Sequence, residues 1–272
     1  MIDCGEGAQM QLMKLQANMH RINHIFISHL HGDHYLGLMG LLFTMHLQRR
    51  TNDLHIYAHR GLDEIITTQL KYSQSAPYYK IIFHRLEPEV REVIYEDDKL
   101  TVETIPLSHR LRCSGFLFRE KVKPRRIDKD RLPAGLPILQ IAGLKRGEDI
   151  RDDAGNIRYT NAALTLSPRH ARSYAYCSDT AYHEPIIDQV KDVDLLYHEA
   201  TFTADEAAKA EETFHSTAQQ AATIALKAKV SKLIVGHFSA RYKDVTPILE
   251  EAQAVFKNTE LAIEGVEFSI SE

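Results

Sequence analysis

Residues 28–37 read SHLHGDHYLG, a stretch in which four potential metal ligands fall within six positions: His29, His31, Asp33 and His34. Neutral imidazole and carboxylate groups are typical ligands of zinc sites that stay open for chemistry. Four such donors are too many for one open site that also draws ligands from elsewhere in the chain. They favour two metal ions ~3.5–4 Å apart with a bridging water. Gly32 would let the backbone turn tightly between the two pairs.

The ligand-rich loop follows residues 25–28 (IFIS), whose three apolar residues predict a short buried strand. Four later segments also end in ligand-type residues: His109, Asp179, His198 with Glu199, and His237. Strand ends converge at one edge of the sheet in α/β domains, so we expect a shared site there. The His198 ring should point away from the Glu199 side, because successive strand residues face opposite ways. One histidine at a strand end is commonly structural, whereas five such ends in one chain indicate a shared site.

Strands and helices alternate along all 272 residues, which predicts one layered α/β domain over residues 1–272. Beyond the first strand, we expect strands at 54–58, 80–84, 115–119, 173–178, 193–201, 232–239 and 260–270, with two more inside 91–107. Helices are predicted from Leu38 onward and at 62–72, 184–192, 217–228 and 246–256. Ser216 and Gln219 match a capping box for the helix at 217–228.

The composition is that of an ordinary globular protein, with 44% hydrophobic and 26% charged residues. No apolar run approaches the ~18–20 residues of a transmembrane helix, and the N-terminus has no secretory signal. Three scattered cysteines do not form a disulfide framework, which favours a reducing, cytoplasmic location. A net charge of −4 gives no overall attraction to nucleic acid, so any such binding requires a local basic patch.

Residues 119–131 (REKVKPRRIDKDR) form such a patch, with seven basic and three acidic side chains. No helical or strand period continues from there to about residue 158, and prolines and glycines interrupt the stretch. The pattern predicts a long insertion without regular structure, which is either a solvated loop or a functional segment.

The loop SHLHGDH resembles the His-x-His-x-Asp-His signature of the metallo-β-lactamase superfamily. Further segments occur in the order seen in ribonuclease Z, the family of tRNA 3′-processing endonucleases. They are DCGEG at 3–7, PLSH at 106–109, CSDT at 177–180, HEATF at 198–202, HST at 215–217 and GHFS at 236–239. HEATF followed by HST is the most discriminating pair. The resemblance covers nearly the whole chain and implies a four-layer αβ/βα sandwich of the metallo-β-lactamase type.

The resemblance also implies two zinc ions per subunit, although other divalent metals are possible. It assigns His29, His31 and His109 to the first ion, Asp33, His34 and His237 to the second, and Asp179 to both. It further implies that Asp33 accepts a proton in the reaction. His215 would lie near the scissile phosphate and protonate the leaving 3′-oxygen, with Glu199 as its partner.

The implied activity is removal of the 3′ trailer from precursor tRNA, leaving a 3′-hydroxyl on the tRNA and a 5′-phosphate on the trailer. A homodimer is implied, with a flexible arm at 119–150 that holds the tRNA elbow. The candidate RNA-binding residues on this arm are Lys121, Lys123, Arg125 and Arg126. The region keeps GLKRGE but lacks the Gly-Pro dipeptide that the family's arm commonly carries.

The chain departs from the family pattern at its start, since it opens on MIDCGEG without the usual preceding strand and Pro-x-Lys-x-Arg-Asn-like loop. We therefore expect a shortened N-terminus. Two alternatives stay open. One is another hydrolase of the same fold that acts on cyclic nucleotides or small esters. The other is a catalytically impaired, metal-free module that binds tRNA.

Overall fold

Strands and helices alternate along the chain, as the sequence pattern predicts. A computed structural model describes residues 1–74, 76–87 and 89–270. Its α-helices are α1 (Ala8–Lys14), α2 (Gly32–Tyr35), α3 (Leu38–Leu47), α4 (Leu62–Tyr72), α5 (Ile138–Arg146), α6 (Asn161–Leu164), α7 (Ala207–Thr213), α8 (Ala218–Ala228) and α9 (Thr246–Val255). No described helix has both the length and the apolar character needed to cross a membrane.

The strands are β1 (His24–Phe26), β2 (Leu54–Ala58), β3 (Ile81–Arg85), β4 (Val93–Glu96), β5 (Leu100–Pro106), β6 (Ser114–Glu120), β7 (Arg126–Ile127), β8 (Ile150–Arg151), β9 (Ile157–Tyr159), β10 (Thr165–Leu166), β11 (Ser173–Cys177), β12 (Leu195–Glu199), β13 (Lys232–Gly236) and β14 (Thr259–Leu261). A parallel sheet has the order β1-β2-β3, and a larger mixed sheet has the order β14-β13-β12-β11-β6-β5-β4. In the larger sheet β11 to β14 are parallel, whereas β4, β5 and β6 are antiparallel.

The two sheets pack face to face, and side-chain alternation along the strands explains how. In β1, Phe26 belongs to a cluster between the sheets that includes Phe116 of the larger sheet, and their ring centroids are 5.4 Å apart. Ile25 and Ile27 point the other way, into a second cluster with helices α3 and α4. Successive strand residues face opposite sides of a sheet, and both sides are buried here. This explains why the strand has a continuous apolar run.

Helices cover the outer faces of both sheets. Leu38, Leu41, Leu42 and Met45 of α3 pack on the smaller sheet together with Leu62 and Ile66 of α4. The larger sheet packs against the alanine-rich face of α8 and against Ile248 and Ala252 of α9. The order of layers is helix, sheet, sheet, helix, which confirms the four-layer αβ/βα sandwich.

Three local predictions in the C-terminal half are wrong. The last strand is predicted over residues 260–270, but β14 ends at Leu261. The sequence predicts a helix over residues 184–192, but only a 3₁₀ turn forms at Glu184–Ile186. The capping box of α8 is one residue later than predicted, because Thr217 and Gln220 bond reciprocally across its first turn. Ser216 is instead buried, with its hydroxyl donating to the Thr180 carbonyl.

The inserted segment between β6 and β11 spans residues 121–172 and carries regular structure, so the expectation of a structureless stretch is wrong. It contains α5, the hairpin β8–β9 and the pair β7–β10. Leu144, Ile150 and Leu164 form its small core. Pro137 precedes α5, and Gly147 ends it with a φ of 95°. The proline and the glycine therefore mark the ends of a helix rather than a break in the pattern.

Candidate metal centre

The loop after β1 is held in place by the first residues of the chain. The Cys4 amide donates to the His34 carbonyl at 2.7 Å, and the Gly37 amide donates to the Cys4 carbonyl at 2.9 Å. Gly5 lies so close to α2 that a Cβ there would be 2.0 Å from the Asp33 carbonyl oxygen. The DCGEG turn thus needs glycine for a close backbone approach, and it fixes the helix that carries Asp33 and His34.

Four ligand-type side chains form a first set: His29, His31, His109 and Asp179. Nε2 of His29 lies 2.8 Å from Nδ1 of His31, and Nε2 of His109 lies 3.3 Å from the same His31 atom. Oδ1 of Asp179 is 3.8 Å from Nε2 of His29. The other ring nitrogen of His109 bonds the Phe214 carbonyl at 3.0 Å, which leaves its Nε2 lone pair for a metal ion.

A second set joins Asp33, His34 and His237, and Asp179 of the first set lies against it. Asp179 and His237 also form a third group of ligand-type atoms with His215. Nε2 of His34 lies 3.4 Å from Oδ2 of Asp33 and 3.1 Å from Oδ2 of Asp179. Nε2 of His237 lies 3.6 Å from Asp33 and 3.3 Å from Oδ1 of Asp179. Oδ2 of Asp179 thus faces the second set, whereas Oδ1 lies between His29 of the first set and His237 of the second.

A histidine–carboxylate pair lies beside these two sets. Nδ1 of His215 is 2.8 Å from Oε1 of the fully buried Glu199. The His215 ring is 5.4 Å from the His109 ring and 5.3 Å from the His237 ring, measured between centroids. His215 therefore lies against one histidine of each set, and its Nε2 is not engaged by Glu199.

Glu199 has a full complement of hydrogen bonds. Its carboxylate accepts from the Thr180 amide at 2.7 Å, the Ser216 amide at 3.0 Å and the Thr201 hydroxyl at 2.6 Å. The same Thr201 hydroxyl lies 2.9 Å from Nδ1 of His237 and can accept a hydrogen bond from it. One buried carboxylate therefore orients His215 directly and His237 through Thr201.

The charge states of the site determine how a cation can bind there. Burial lowers the pKa of His29 to about 3, which keeps its ring neutral and its lone pair free. Burial also acts to lower the pKa of His34, but the Asp179 and Asp3 carboxylates outweigh it and raise the pKa to about 10. The neighbouring His237 ring lowers the pKa of Asp33 to about 2. A cation on His34 must displace a proton, so binding depends on pH.

An unsatisfied atom tests whether the site fits a metal ion. Nε2 of His34 is buried and makes no hydrogen bond to any described residue, despite its short distance from Asp179. Leaving a buried polar atom unpaired is costly, so native proteins rarely do it without a reason. A cation between His34, Asp33 and Asp179 would satisfy this nitrogen. The donor set of imidazoles and carboxylates fits zinc or a similar divalent ion.

Backbone geometry at the strand ends helps to bring the ligands together. Asp179 and His237 follow β11 and β13 and adopt left-handed conformations, with φ of 58° and 59°. Non-glycine residues rarely adopt such angles, and those that do cluster at functional sites. The left-handed turn after each strand therefore directs the side chain of Asp179 or His237 across the edge of the sheet.

Lys121, Lys123 and Arg125 lie between β6 and β7, and Arg126 is the first residue of β7. Each of these four candidate RNA-binding residues contacts another part of the protein. Nζ of Lys121 is 2.6 Å from Glu96, and Nζ of Lys123 is 2.7 Å from Glu120. Arg125 donates to the Thr165 hydroxyl, and Arg126 donates to the Ser167 carbonyl. These bonds place the four cations at the start of the inserted segment.

Three polar residues around the metal sets escaped prediction: Asp3, Ser28 and Thr201. Asp3 and Thr201 lie inside the DCGEG and HEATF motifs, but neither has a local pattern that reveals a bonding partner. Asp3 bonds His34, which is 31 positions away, and Thr201 bonds His237, which is 36 positions away. Only the folded chain brings these groups together.

Comparison with known proteins agrees with this geometry. Residues 145–238 match the family model of the β-lactamase superfamily domain, and residues 1–123 match the model of the anti-Pycsar protein Apyc1. Ribonuclease Z of Bacteroides fragilis (strain YCH46) is 49% identical over 271 residues, or 99% of this chain and 89% of that protein. Ribonuclease Z of Cytophaga hutchinsonii is 49% identical over 272 residues, or 100% of this chain and 87% of that protein.

Solved structures of related proteins superpose on this chain over nearly its whole length. The short form of human tRNase Z superposes with a TM-score of 0.71 at 27% identity, covering 100% of this chain and 88% of that one. YhfI from Bacillus subtilis, a metallo-β-lactamase fold protein, superposes with a TM-score of 0.65 at 18% identity, covering 97% and 84%, and supports the fold alone. With this fold, two joined sets of metal-ligand side chains and near full-length identity of 49%, the chain is a metal-dependent hydrolase that belongs to the ribonuclease Z family.

Proposed function

We propose that the chain is a zinc-dependent endoribonuclease that removes the 3′ trailer from precursor tRNA. It would leave a 3′-hydroxyl on the tRNA and a 5′-phosphate on the trailer. The observation that carries this proposal is the pair of ligand sets joined at Asp179, with the Glu199–His215 pair beside them. The relatives named ribonuclease Z support the choice of precursor tRNA as substrate.

Two divalent cations fit the site. His29, His31 and His109 would hold one ion, Asp33, His34 and His237 would hold the other, and Asp179 would bridge them. When bound, such ions supply Lewis-acid chemistry that acidifies water and offsets the charge of a phosphodiester.

The protein's own groups would handle the protons. The Asp33 carboxylate, ionised because its pKa is about 2, can accept a proton from the attacking water. His215 keeps Nδ1 on Glu199, so its Nε2 can donate a proton to the leaving 3′-oxygen. Because Glu199 is buried and fully bonded, the His215 ring is held in one orientation.

Cleavage of an end-labelled precursor tRNA tests the proposal directly. We expect one cut at the trailer junction, a tRNA 3′ end that can be ligated and a trailer that a 5′-phosphate-dependent exonuclease degrades. A protein that hydrolyses bis(p-nitrophenyl) phosphate but leaves precursor tRNA intact would instead be a small-diester hydrolase of the same fold. One that binds tRNA and holds no metal would be a binding module.

The metal content gives a first prediction. Zinc-resupplied protein should hold two ions per chain by elemental analysis, because seven donors form two sets. Asp179→Ala should lower the stoichiometry, since it removes the oxygen donors common to both sets. At most one tightly held ion in the zinc-resupplied wild type would contradict the two-metal site.

The inserted segment would bind the substrate through its basic start. Seven basic side chains lie within residues 119–131 of a chain of net charge −4, so this stretch offers the local positive charge that RNA phosphates require. Lys121 and Lys123 already pair with Glu96 and Glu120. Both pairs are partly exposed to solvent, where ion pairs contribute little, so the lysines would exchange these partners for phosphate at a small cost.

A second prediction separates binding from chemistry. Replacing Lys121, Lys123, Arg125 and Arg126 by alanine should slow precursor tRNA cleavage and hardly change bis(p-nitrophenyl) phosphate hydrolysis. The small diester would contact only the metal site, so its hydrolysis should not depend on these four cations. The log–log salt slope of RNA binding should flatten by ~0.7–0.9 for each RNA phosphate that the variant no longer binds.

A matched control changes the same total charge elsewhere, by replacing Lys209, Lys227, Lys232 and Lys257 with alanine. Three of these lysines are also in ion pairs, and none belongs to the inserted segment. Equal losses in both quadruple variants would mean that overall charge, not this segment, attracts RNA. A fall in both activities of the first variant would mean that the segment supports the fold.

We also propose that the protein acts as a cytoplasmic homodimer, in which the inserted segment of one subunit holds tRNA for the site of the other. The buried, free state of Cys4, Cys113 and Cys177 is compatible with a reducing compartment. Light scattering at micromolar concentration should give twice the mass of 31.0 kDa. A single-chain mass under these conditions would count against the dimer.

A further inference from the structure

Asp3 lies under the metal-binding loop, outside both ligand sets. Its carboxylate is mostly buried, with 11% of the side chain exposed. Oδ1 accepts the Ser28 amide at 2.7 Å, and Oδ2 accepts the Tyr176 hydroxyl at 3.0 Å. The backbone of Asp3 is left-handed, with a φ of 49°, and its amide donates to the Phe26 carbonyl at 2.8 Å. These hydrogen bonds fix the Asp3 carboxylate beside the end of β1, where the metal-binding loop begins.

The first link from Asp3 runs to the second ligand set. Its Oδ2 lies 2.8 Å from Nδ1 of His34, the ring nitrogen that faces away from Asp33 and Asp179. A carboxylate at Nδ1 holds the proton there. It thereby leaves Nε2 as the lone pair that can bind an ion.

The second link runs to the first ligand set through one hydroxyl. Ser28 Oγ donates to Oδ2 of Asp3 at 2.9 Å and lies 3.1 Å from Nδ1 of His29. Because its hydrogen is directed to the carboxylate, the hydroxyl can accept Nδ1–H of His29. The Nε2 lone pair of His29 is then left on the side of His31.

We propose that Asp3 is a positioning residue for both metal ions, holding His34 directly and His29 through the Ser28 hydroxyl. This inference rests on the proposed two-metal function of the site. One carboxylate would set the tautomer and the ring orientation of one histidine in each set. The two ions would then depend on a residue that binds neither of them.

Zinc affinity of the whole chain tests this without any RNA. Zn²⁺ is titrated into metal-free protein against a chromophoric chelator, which yields two dissociation constants for the wild type. Asp3→Asn should raise both constants about 10–100-fold, the usual cost of losing a partner of a metal-ligating histidine. Ser28 Oγ also lies 3.3 Å from Nδ1 of His34, but the shorter 2.8 Å bond from Asp3 holds that nitrogen. Ser28→Ala should therefore raise one constant much more than the other, because it cuts the link to His29 and leaves the Asp3–His34 bond.

A proton signal provides an independent readout. In the zinc-loaded wild type, Nδ1–H of His34 should give a downfield, slowly exchanging resonance because it is bonded to a buried carboxylate. Asp3→Asn should shift this resonance upfield or remove it, and Ser28→Ala should preserve it.

Asp97→Asn is the matched control, since Asp97 is a carboxylate that accepts two backbone amides in a turn away from the site. It should leave both zinc constants unchanged. The proposal is overturned if Asp3→Asn leaves either constant at the wild-type value, or if it only lowers the melting temperature of the metal-free protein. Should Asp3→Asn fail to fold, a Ser28→Ala variant that raises both constants by the same factor, or raises neither, overturns it equally. Absence of tRNA cleavage by the wild type would refute the proposed substrate and leave the zinc result standing.

Discussion

Asp33→Ala should lower the rate of precursor tRNA cleavage by about 10²–10⁴-fold, the range that a positioned general base usually contributes. Its Oδ2 lies within 3.6 Å of ring nitrogens of both His34 and His237, so the change also removes a donor of the second ligand set. The Asp33 side chain is 65% exposed and lies in the first turn of the short helix α2. We therefore expect the melting temperature of the metal-free protein to change little.

The measurement is kcat at saturating precursor tRNA, together with zinc content. Asp63→Ala is a suitable control, because Asp63 is likewise an exposed aspartate in the first turn of a helix, here α4. It should retain the wild-type rate. An Asp33→Ala enzyme that keeps more than about a hundredth of the rate would show that Asp33 is not the essential proton acceptor.

His215→Ala should show a loss that depends on the leaving group. Cleavage of precursor tRNA should fall by about 10²–10⁴-fold, because a ribose 3′-oxygen leaves poorly unless it is protonated. Hydrolysis of bis(p-nitrophenyl) phosphate should fall less than about tenfold, because p-nitrophenolate is a stable anion that needs no proton from a general acid. The ratio of the two rates is therefore the quantity to measure, and it is insensitive to the amount of active enzyme.

Glu199→Gln should reproduce this ratio and also reduce stability. The side-chain amide nitrogen of the glutamine would face a donor, since Thr180, Ser216 and Thr201 all donate to the Glu199 carboxylate. Leaving such buried donors unpaired costs about 1–3 kcal/mol. His170→Ala is the control, because His170 pairs with Asp194 at 2.7 Å, outside both metal-ligand sets. Equal losses on both substrates in His215→Ala would show that His215 supports the site rather than protonating the leaving group.

Where local pattern dominates, prediction from the sequence worked well. The strand Leu54–Ala58 and the helix Leu62–Tyr72 form with the predicted bounds, because apolar spacing and flanking turns agree there. Prediction failed where the same residue types allow two structures. Pro137 and Gly147 are typical of an irregular loop, yet they flank the helix α5. The spacing at 184–192 suits a helix, but only a single 3₁₀ turn forms.

The sequence by itself determined the chemistry available: seven ligand-type side chains at strand ends, in the order typical of one family. That information is local, since it depends on residue types and short spacings. Only the tertiary structure decided which nitrogen of His34, His109 and His237 faces the metal sets, because the choice depends on the partner of the other nitrogen. Those partners are Asp3 for His34, Phe214 for His109 and Thr201 for His237, and they come from remote segments. Hydrogen bonds between remote segments form only when the whole chain is packed, so no local pattern could have predicted them.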